Sequence, residues 1–444
     1  MVKQQLVTAV VGIMLTTGAA LADPEQVTVQ EAVSRGLSQS NLSRAAAFQA
    51  EAARSGARAA ALHYLPSLTF EESWTRSNVP VNTFMMKLNQ GRFTMADMNT
   101  LGNPAPVSDF RTALTLEQPL LAPGAWAGSA VARYGAERQS AVAELVRQQV
   151  AFRIFQQYLE VHKAKAQVTA ADKALDEARE SARQASVRTA AGLGLKSDEL
   201  RAATHLAAME QQKISAANNL TLARMQLALA TGGKPGDELD AGEPLQLKMP
   251  KDRESLVSSA QLDRRDLRVS ELGKEQADAA VLQARSGFLP TVGAFGSWQM
   301  NDSSSPFGHE HDAWAVGITL RWNVFDGFRT WHGDGQARAN RSAAGEQLQQ
   351  TRKEVGYQVH EAWLRRQEAE KRLQVATAAL QSAEETVRLL SKRFDNALAS
   401  MVELLDAQSA LNQARANLVE SEANLSLATG RLYHSAGTFL KEVL

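Results

Sequence analysis

One stretch of the chain alternates apolar and polar residues without interruption. Between residues 314 and 324 the large apolar residues are Trp314, Val316, Ile318, Leu320, Trp322 and Val324, and the residues between them are small or polar. Successive side chains of a strand point to opposite faces, so this period of two predicts a strand with one apolar and one polar face.

Weaker alternation elsewhere completes a set of four predicted strands, at about 67–75, 110–120, 291–300 and 313–325. Two residues break the pattern, Glu72 among apolar positions and Phe295 among polar ones. Tryptophans recur at the apolar positions, namely Trp74, Trp298, Trp314 and Trp322. Together the strands predict a sheet with one apolar side.

Two long segments predict helices of unusual length. They run from about Ala125 to Thr189 and from about His332 to Asp395, lack proline, and are rich in Ala, Glu, Gln, Arg and Leu. At 1.5 Å per residue, the first is roughly 95 Å long. Shorter helices are predicted at about 29–64 and 197–230. Small globular domains do not contain helices of such length, and the helices alone favour a coiled-coil bundle.

The chain repeats one pattern twice. Leu65-Pro66 recurs as Leu289-Pro290, 224 residues later, whereas Arg188 recurs as Arg393 and Gly232 as Gly437 at an offset of 205. The smaller offset implies about twenty extra residues in the first half, between Trp74 and Phe110. We expect one repeat over 23–232 and a second over 253–444, joined by a linker rich in glycine and proline at 233–252.

The first residues have the features of a secretory signal peptide, predicted over 1–22. Lys3 precedes a short apolar core, and Ala20-Leu21-Ala22 forms a cleavage site. Export favours a membrane role for the strands over the alternative, a soluble half-buried sheet. In a membrane we expect Trp74, Trp298, Trp314 and Trp322 to be the lipid-interface anchors. Trp314 and Trp322 would stand about 26 Å apart along a strand, or roughly 20 Å across a bilayer when tilted, as in the aromatic-girdled band of an outer-membrane barrel.

Four strands cannot close a barrel, since about eight are the working minimum. Open sheet edges are not tolerated in lipid. A membrane barrel built from these strands therefore requires several chains.

Composition narrows the functional classes. The chain has no cysteine, which excludes disulfides, thiolate metal sites and cysteine nucleophiles. Its 48 basic and 48 acidic residues balance, so nothing indicates nucleic acid as a partner. His360-Glu361 lacks the second histidine of a zinc-protease motif, and no phosphate loop or nucleophile elbow appears. We expect neither an enzyme nor a cofactor.

Two loop segments carry side chains that could bind metal. His309-Glu310-His311 offers two imidazoles and a carboxylate, and a longer loop holds four methionines, Met85, Met86, Met95 and Met98. A solvated histidine run and methionines that pack the loop are the competing interpretations. We expect no metal site here.

The ordered motifs resemble those of the TolC family of outer-membrane efflux proteins. Leu289-Pro290 is similar to the family's entry into a strand, and residues 322–327 to its exit from strand to helix, with residues 118–124 as the counterpart in the first half. Two pairs are similar to its helix-turn-helix tips, Gly192-Leu193 and Ala397-Leu398. The resemblance covers essentially the whole mature chain.

The resemblance implies a mainly α fold with membrane β-strands. A long antiparallel α-helical coiled-coil barrel would continue from a β-barrel to which each chain gives four strands, with an internal two-fold repeat. It implies a homotrimer in outer-membrane lipid, a periplasmic adaptor at the tips and an inner-membrane pump behind it. The expected function is a passive exit duct of a tripartite efflux or type I secretion system. Alternatives are a non-conducting periplasmic coiled-coil scaffold with a membrane foot, and a secreted enzyme.

Two acids follow the second tip, Glu403 and Asp406, three apart on one helical face. Their position matches the family's acidic constriction at the periplasmic end of the tunnel. The alternative is that the two acids are simply solvated near a helix N-terminus, where acidic side chains are stabilised. The family's locking Tyr and Arg are absent, with Phe394 and Ala399 in their places. Asp198 and Arg201 are candidates for a substitute lock.

Overall fold

The computed structural model describes residues 24–245, 247–248 and 252–444. The predicted signal peptide and part of the predicted linker lie outside these residues. None of the described helices is both long and apolar enough to cross a membrane. The elements, in chain order, are β1 Glu25–Val27, α1 Val29–Gln39, α2 Asn41–Ala61, β2 Ser67–Ser77, α3 Pro80–Asn89, a 3₁₀ helix Met95–Thr100, β3 Val107–Leu121, α4 Pro123–Ala190, α5 Lys196–Ala230, β4 Leu239–Ala241, α6 Arg253–Asp263, α7 Arg265–Ser286, β5 Thr291–Asp302, β6 His311–Arg321, α8 Arg329–Asp395, α9 Met401–Ser435 and α10 Phe439–Val443.

The four predicted strands form one antiparallel sheet in the order β2–β3–β5–β6. The two halves of the chain therefore meet in the middle of the sheet, where β3 pairs with β5. Within the described chain, β2 and β6 each pair on one side only. Their outer edges keep backbone donors and acceptors that no strand of this chain satisfies.

The register gathers the apolar positions on one face of the sheet. Directly opposed residues share a face, and one such row runs through Phe70, Leu114, Trp298 and Trp314. A neighbouring row contains Leu68, Leu116, Gly296 and Val316. In the single chain this apolar face is open, since Trp314 and Ile318 are each 73% exposed.

Each residue that breaks the alternation is accommodated by the residue opposite it. Glu72 lies across from Thr112, whose hydroxyl donates to the Glu72 carboxylate at 2.5 Å. Phe295 lies across from Gly317, where a Cβ atom would come 2.7 Å from the aromatic ring. Glycine at 317 therefore leaves room for a ring on the polar face.

The predicted strand positions are confirmed, with two differences at their ends. All four strands extend two or three residues farther at the loop end of the sheet. The fourth was predicted to reach 325 but ends at Arg321, so Trp322 and Val324 lie beyond it. The indole N–H of Trp322 instead donates to the Phe288 carbonyl at 3.1 Å. Asp326 then accepts from the Thr330 amide at 2.9 Å and satisfies a backbone donor in the first turn of α8.

Both long helices are confirmed as α4 and α8, with 68 and 67 residues. The prediction of one helix over 29–64 is wrong, because the structure has two helices separated at Ser40, and the second of them ends at Ala61. Ser40 is extended, with φ −60° and ψ 124°, and its hydroxyl accepts from the Ser43 amide. Arg264, 224 residues later, divides α6 from α7 in the same way, with φ −69° and ψ 120°.

One compact unit contains residues 24–36, 153–245 and 370–427 of the described chain. Here β1 and β4 pair in parallel and bring the N-terminal segment to the segment between the repeats. Asp240 of β4 is buried and accepts from Lys165 at 2.9 Å and from Arg224 at 3.1 Å. Burial raises the pKa of Asp240, but these two cations outweigh it and hold the pKa below its usual range.

The second unit contains the sheet and residues 37–152, 247–369 and 428–444, apart from the undescribed positions. An apolar cluster forms its helical core, with Leu256, Ala260, Val355, Val359, Ala362, Leu432 and Ala436. Beside this core, the His434 ring stacks on Phe152 with centroids 4.4 Å apart. Burial lowers the pKa of His434 to about 4, so the imidazole is neutral at neutral pH.

Candidate functional site

Both long helices end in the same backbone reversal, which we call the first tip (residues 188–199) and the second tip (residues 393–404). Gly192 has φ 72° and Ala397, 205 residues later, has φ 58°. The Leu193 amide donates to the Arg188 carbonyl at 2.9 Å, and the Leu398 amide to the Arg393 carbonyl at 2.7 Å. These bonds close two matching left-handed helix caps.

The caps leave a leucine exposed at the matching position of each tip. Leu193 is 80% exposed and Leu398 is 68% exposed. Surface leucines are common singly, but here the repeat places one at the same position of each reversal. The predicted docking residues Gly192, Leu193, Ala397 and Leu398 thus lie at the turns of the two hairpins.

A small apolar core joins the two tips. Its buried residues come from all four helices that meet there, namely Ala185, Ala202, Phe394, Met401, Leu404 and Leu405. Phe394, which stands where the resemblance expects tyrosine, is 6% exposed and belongs to this core. The tips are therefore packed against each other within the chain.

Arg188 of the first tip holds the end of α8. Its guanidinium donates to the Phe394 carbonyl at 2.7 Å and lies 4.5 Å from the centre of the Phe394 ring. A hydrogen bond from a cation and a cation–π contact thus act on one residue. In the sequence, Arg188 was identified only as a repeated residue. An arginine in the last turn of a helix can bond the helix's last carbonyls, so its repetition was a usable signal of a helix-end contact.

Asp198 and Arg201, the candidates for a substitute lock, form no ion pair with each other in the described chain. Lys196 instead pairs with Glu199 at 2.8 Å. Among the described residues, Arg188 instead supplies polar contacts between the tips, to the carbonyls of Phe394 and Asp395.

Glu403 and Asp406 are both exposed on α9, at the end of the second tip and just after it. Glu403 accepts from the Ser400 amide at 2.7 Å, and the Ser400 hydroxyl accepts from the Glu403 amide at 3.3 Å. This reciprocal pair is a capping box. The backbone and side-chain hydrogen bonds from Ser400 hold the pKa of Glu403 below its usual range. Glu403 is therefore ionised at neutral pH, with its carboxylate fixed at the helix N-terminus.

The four tryptophans predicted as lipid anchors are all exposed in the chain. Trp298 and Trp314 face each other in register, and Trp74 lies beside Phe110 with ring centroids 6.4 Å apart. Trp322 lies past the end of β6, where its ring is 57% exposed. Trp74, Trp298 and Trp314 thus lie toward the loop end of the apolar face, and Trp322 lies past its other end.

A sequence model of outer membrane efflux proteins matches residues 33–233 and 256–438, which is most of the chain. The chain belongs to the outer membrane efflux protein family. No curated protein sequence matches this chain at a significant level. As a member of this family, the efflux protein is located in the outer membrane and functions in transport rather than in catalysis.

Solved structures of outer-membrane channels share the fold of this efflux protein. VceC from Vibrio cholerae aligns with a TM-score of 0.78 and 20% identity, over 92% of this chain and 96% of VceC. CmeC from Campylobacter jejuni gives 0.79 and 17%, over 93% and 86% of the two chains. The open state of MtrE from Neisseria gonorrhoeae gives 0.77 and 18%, over 93% and 89%. The predicted fold class is confirmed.

The loops of this efflux protein offer little for a metal. Among the described residues, no group of three or more His, Asp or Glu side chains is arranged to hold an ion. His309 approaches Asp312 at 3.4 Å, and His311 packs near Gly91. Of the loop methionines, Met86 is buried whereas Met85, Met95 and Met98 are exposed.

Proposed function

We propose that this efflux protein is the passive outer-membrane exit duct of a tripartite efflux or type I secretion system. The observation that carries the proposal is the sheet, which is apolar on one face, polar on the other and unpaired at both edges. Such a sheet suits a wall between lipid and a water-filled lumen. Its apolar face would meet lipid, with Trp74, Trp298, Trp314 and Trp322 as interface anchors.

The unpaired edges support assembly from several copies. In lipid, the free donors and acceptors of β2 and β6 must find partners, and the antiparallel edges of further copies provide them. Four strands per chain give too narrow a barrel with two copies and an open lumen with three. We therefore propose a homotrimer, in which the helices of three chains continue the barrel as a periplasmic tunnel.

The tips supply the proposed contact with partners. Leu193 and Leu398 project from rigid caps, which suits docking of the hairpins of a periplasmic adaptor. An inner-membrane pump would load the duct behind the adaptor. Glu403 and Asp406 would gather around the trimer axis and form an acidic gate that favours cations.

The test is conductance of the purified protein in planar bilayers, together with native mass measurement in detergent. The duct predicts three chains per particle and discrete, cation-preferring single-channel steps without any nucleotide. A monodisperse trimer that never conducts would instead support the scaffold, and a stable monomer in the membrane would overturn the proposed assembly.

A further inference from the structure

The loop between β2 and β3, residues 78–106, is a folded piece of protein that the second half of the chain lacks. We call it the insert; its counterpart between β5 and β6 is the short hairpin 303–310. Inside the insert the Phe84 and Phe93 rings meet edge to face, 4.8 Å apart. Lys87 pairs with Asp97 at 2.5 Å. The insert therefore has its own small core and holds its own shape.

A buried polar network fastens the insert to the sheet. The Gln90 side chain is 1% exposed, and its amide donates to the Ser108 carbonyl and to Asp109, both at 2.8 Å. Asp109 in turn accepts from the amide of Asn301 at 2.9 Å. Buried amides and carboxylates are costly unless bonded, so these contacts fix where the insert lies.

The network lies on the polar face of the sheet. Asn301 lies opposite Arg111 of β3 and opposite His311 of β6, and all three are at positions of the polar face. Asp109 of β3 is at a position of the same face. A Cβ at Gly91 would be 3.6 Å from His311. The insert thus covers the polar face at its loop end and leaves the apolar face clear.

Helix α3 of the insert carries two opposite stripes. The residues toward the sheet are the buried Thr83, Met86 and Gln90, at helical spacing. The opposite side carries Val81, Met85 and Leu88, which are exposed. An apolar stripe is therefore turned away from the sheet, on the side of its polar face.

We propose that the insert is an inward-folded collar at the outer mouth of the duct, lined by Val81, Met85 and Leu88. The inference rests on the proposed function, because the polar face borders a lumen only if the strands form a channel wall. An apolar constriction disfavours hydrated solutes. The collar then limits the entry of large hydrophilic molecules from outside, independently of the proposed acidic gate.

The absence of cysteine in the natural chain allows a direct test. Ala315→Cys places a reporter on the polar face of β6, in mid-strand. Intact cells are treated with a small charged maleimide or with maleimide-terminated polyethylene glycols of graded length. The unlatched background carries Gln90→Ala and Asn301→Ala, and the matched control carries Thr100→Ala, an exposed residue of the same insert.

With the hydrogen bonds from Gln90 and Asn301 to Ser108 and Asp109 lost, the rate of labelling by the longer polymers is expected to rise about tenfold in the unlatched background, and to stay unchanged in the control. A second variant, Met85→Gln with Leu88→Gln, keeps the latch and should speed labelling by the small charged reagent. Equal polymer rates in the unlatched background and the Thr100→Ala control would overturn the collar, and unchanged labelling of the Met85→Gln, Leu88→Gln variant by the small reagent would contradict the apolar lining.

A reporter on the other face separates this inference from the proposed function. Val316→Cys should resist the charged reagent because lipid covers it. If Val316→Cys reacts as fast as Ala315→Cys, the assignment of the lumen face fails, and the proposed function fails with it. If only the polymer result fails, the duct stands and the collar does not.

Discussion

Removal of the Arg188 side chain should loosen the second tip from the end of α4. Its hydrogen bond to the Phe394 carbonyl, from a cation, contributes about 1.5–3 kcal/mol when well shielded, and an exposed cation–π contact about 0.5–1 kcal/mol. Arg188 is only partly buried, so we discount the sum to about 1–2 kcal/mol. That is roughly a five- to thirtyfold shift toward the loosened tip.

The variant is Arg188→Ala, and the matched control is Arg183→Ala, whose guanidinium pairs with Glu180 one turn away on an exposed surface. Open probability in planar bilayers and hydrogen exchange of the Leu398 amide should both rise for Arg188→Ala. Arg188→Lys should recover little, because a point charge cannot form the planar stacked contact. Equal exchange rates in Arg188→Ala and Arg183→Ala would refute the tether.

Four further predictions concern separate parts of the chain. Glu403→Gln with Asp406→Asn should abolish cation preference and block by multivalent cations in bilayers, while trimers persist and Glu420→Gln has little effect; retained block would favour the solvated pair. Ile318→Arg should weaken assembly by about 2–4 kcal/mol and Thr319→Arg by less, as measured by trimer dissociation; equal losses would contradict the assigned faces. His434 has a pKa of about 4 against 6.5 for a free imidazole, so the folded state binds fewer protons between these values and stability should fall as the pH drops from 6.5 to 4. The melting temperature of His434→Phe should vary less across that window than that of the natural chain. Ala397→Gly should slow exchange at the Leu398 amide by relieving about 1 kcal/mol of left-handed strain, and Gly192→Ala should speed exchange at Leu193.

The sequence predicted the fold well where a periodic pattern was long, and poorly where local hydrogen bonds set the end of a helix or strand. Strict alternation located β6, and long runs of helix formers located α4 and α8. The breaks at Ser40 and Arg264 escaped prediction because neither is proline or glycine, and both lie inside patterns that remain helical. The early end of β6 escaped because Trp322 continues the alternation, while its indole bonds to a loop carbonyl.

The candidate site was predicted in position but not in its contacts. The resemblance to the family's helix-turn-helix tips predicted the two reversals, and Glu403 was predicted as a site residue from its charge and its position after the second tip. Ser400 and Glu403 also spell a capping box, a signal present in the sequence that accounts for the orientation of Glu403. The approach of Arg188 to Phe394 joins residues more than two hundred positions apart, which no local pattern reports.

The repeat separates what holds the chain together from what differs between its halves. The helix breaks at Ser40 and Arg264 and the left-handed caps at Gly192 and Ala397 occur twice at fixed offsets, so they belong to the shared architecture. The capping box at Ser400 has no equivalent at the first tip, where Leu195 stands before the helix and makes no side-chain cap. The insert between β2 and β3 also occurs once. The features present in only one half are thus the capped acid of the second tip and the insert, and these are the two elements that we propose make the duct selective.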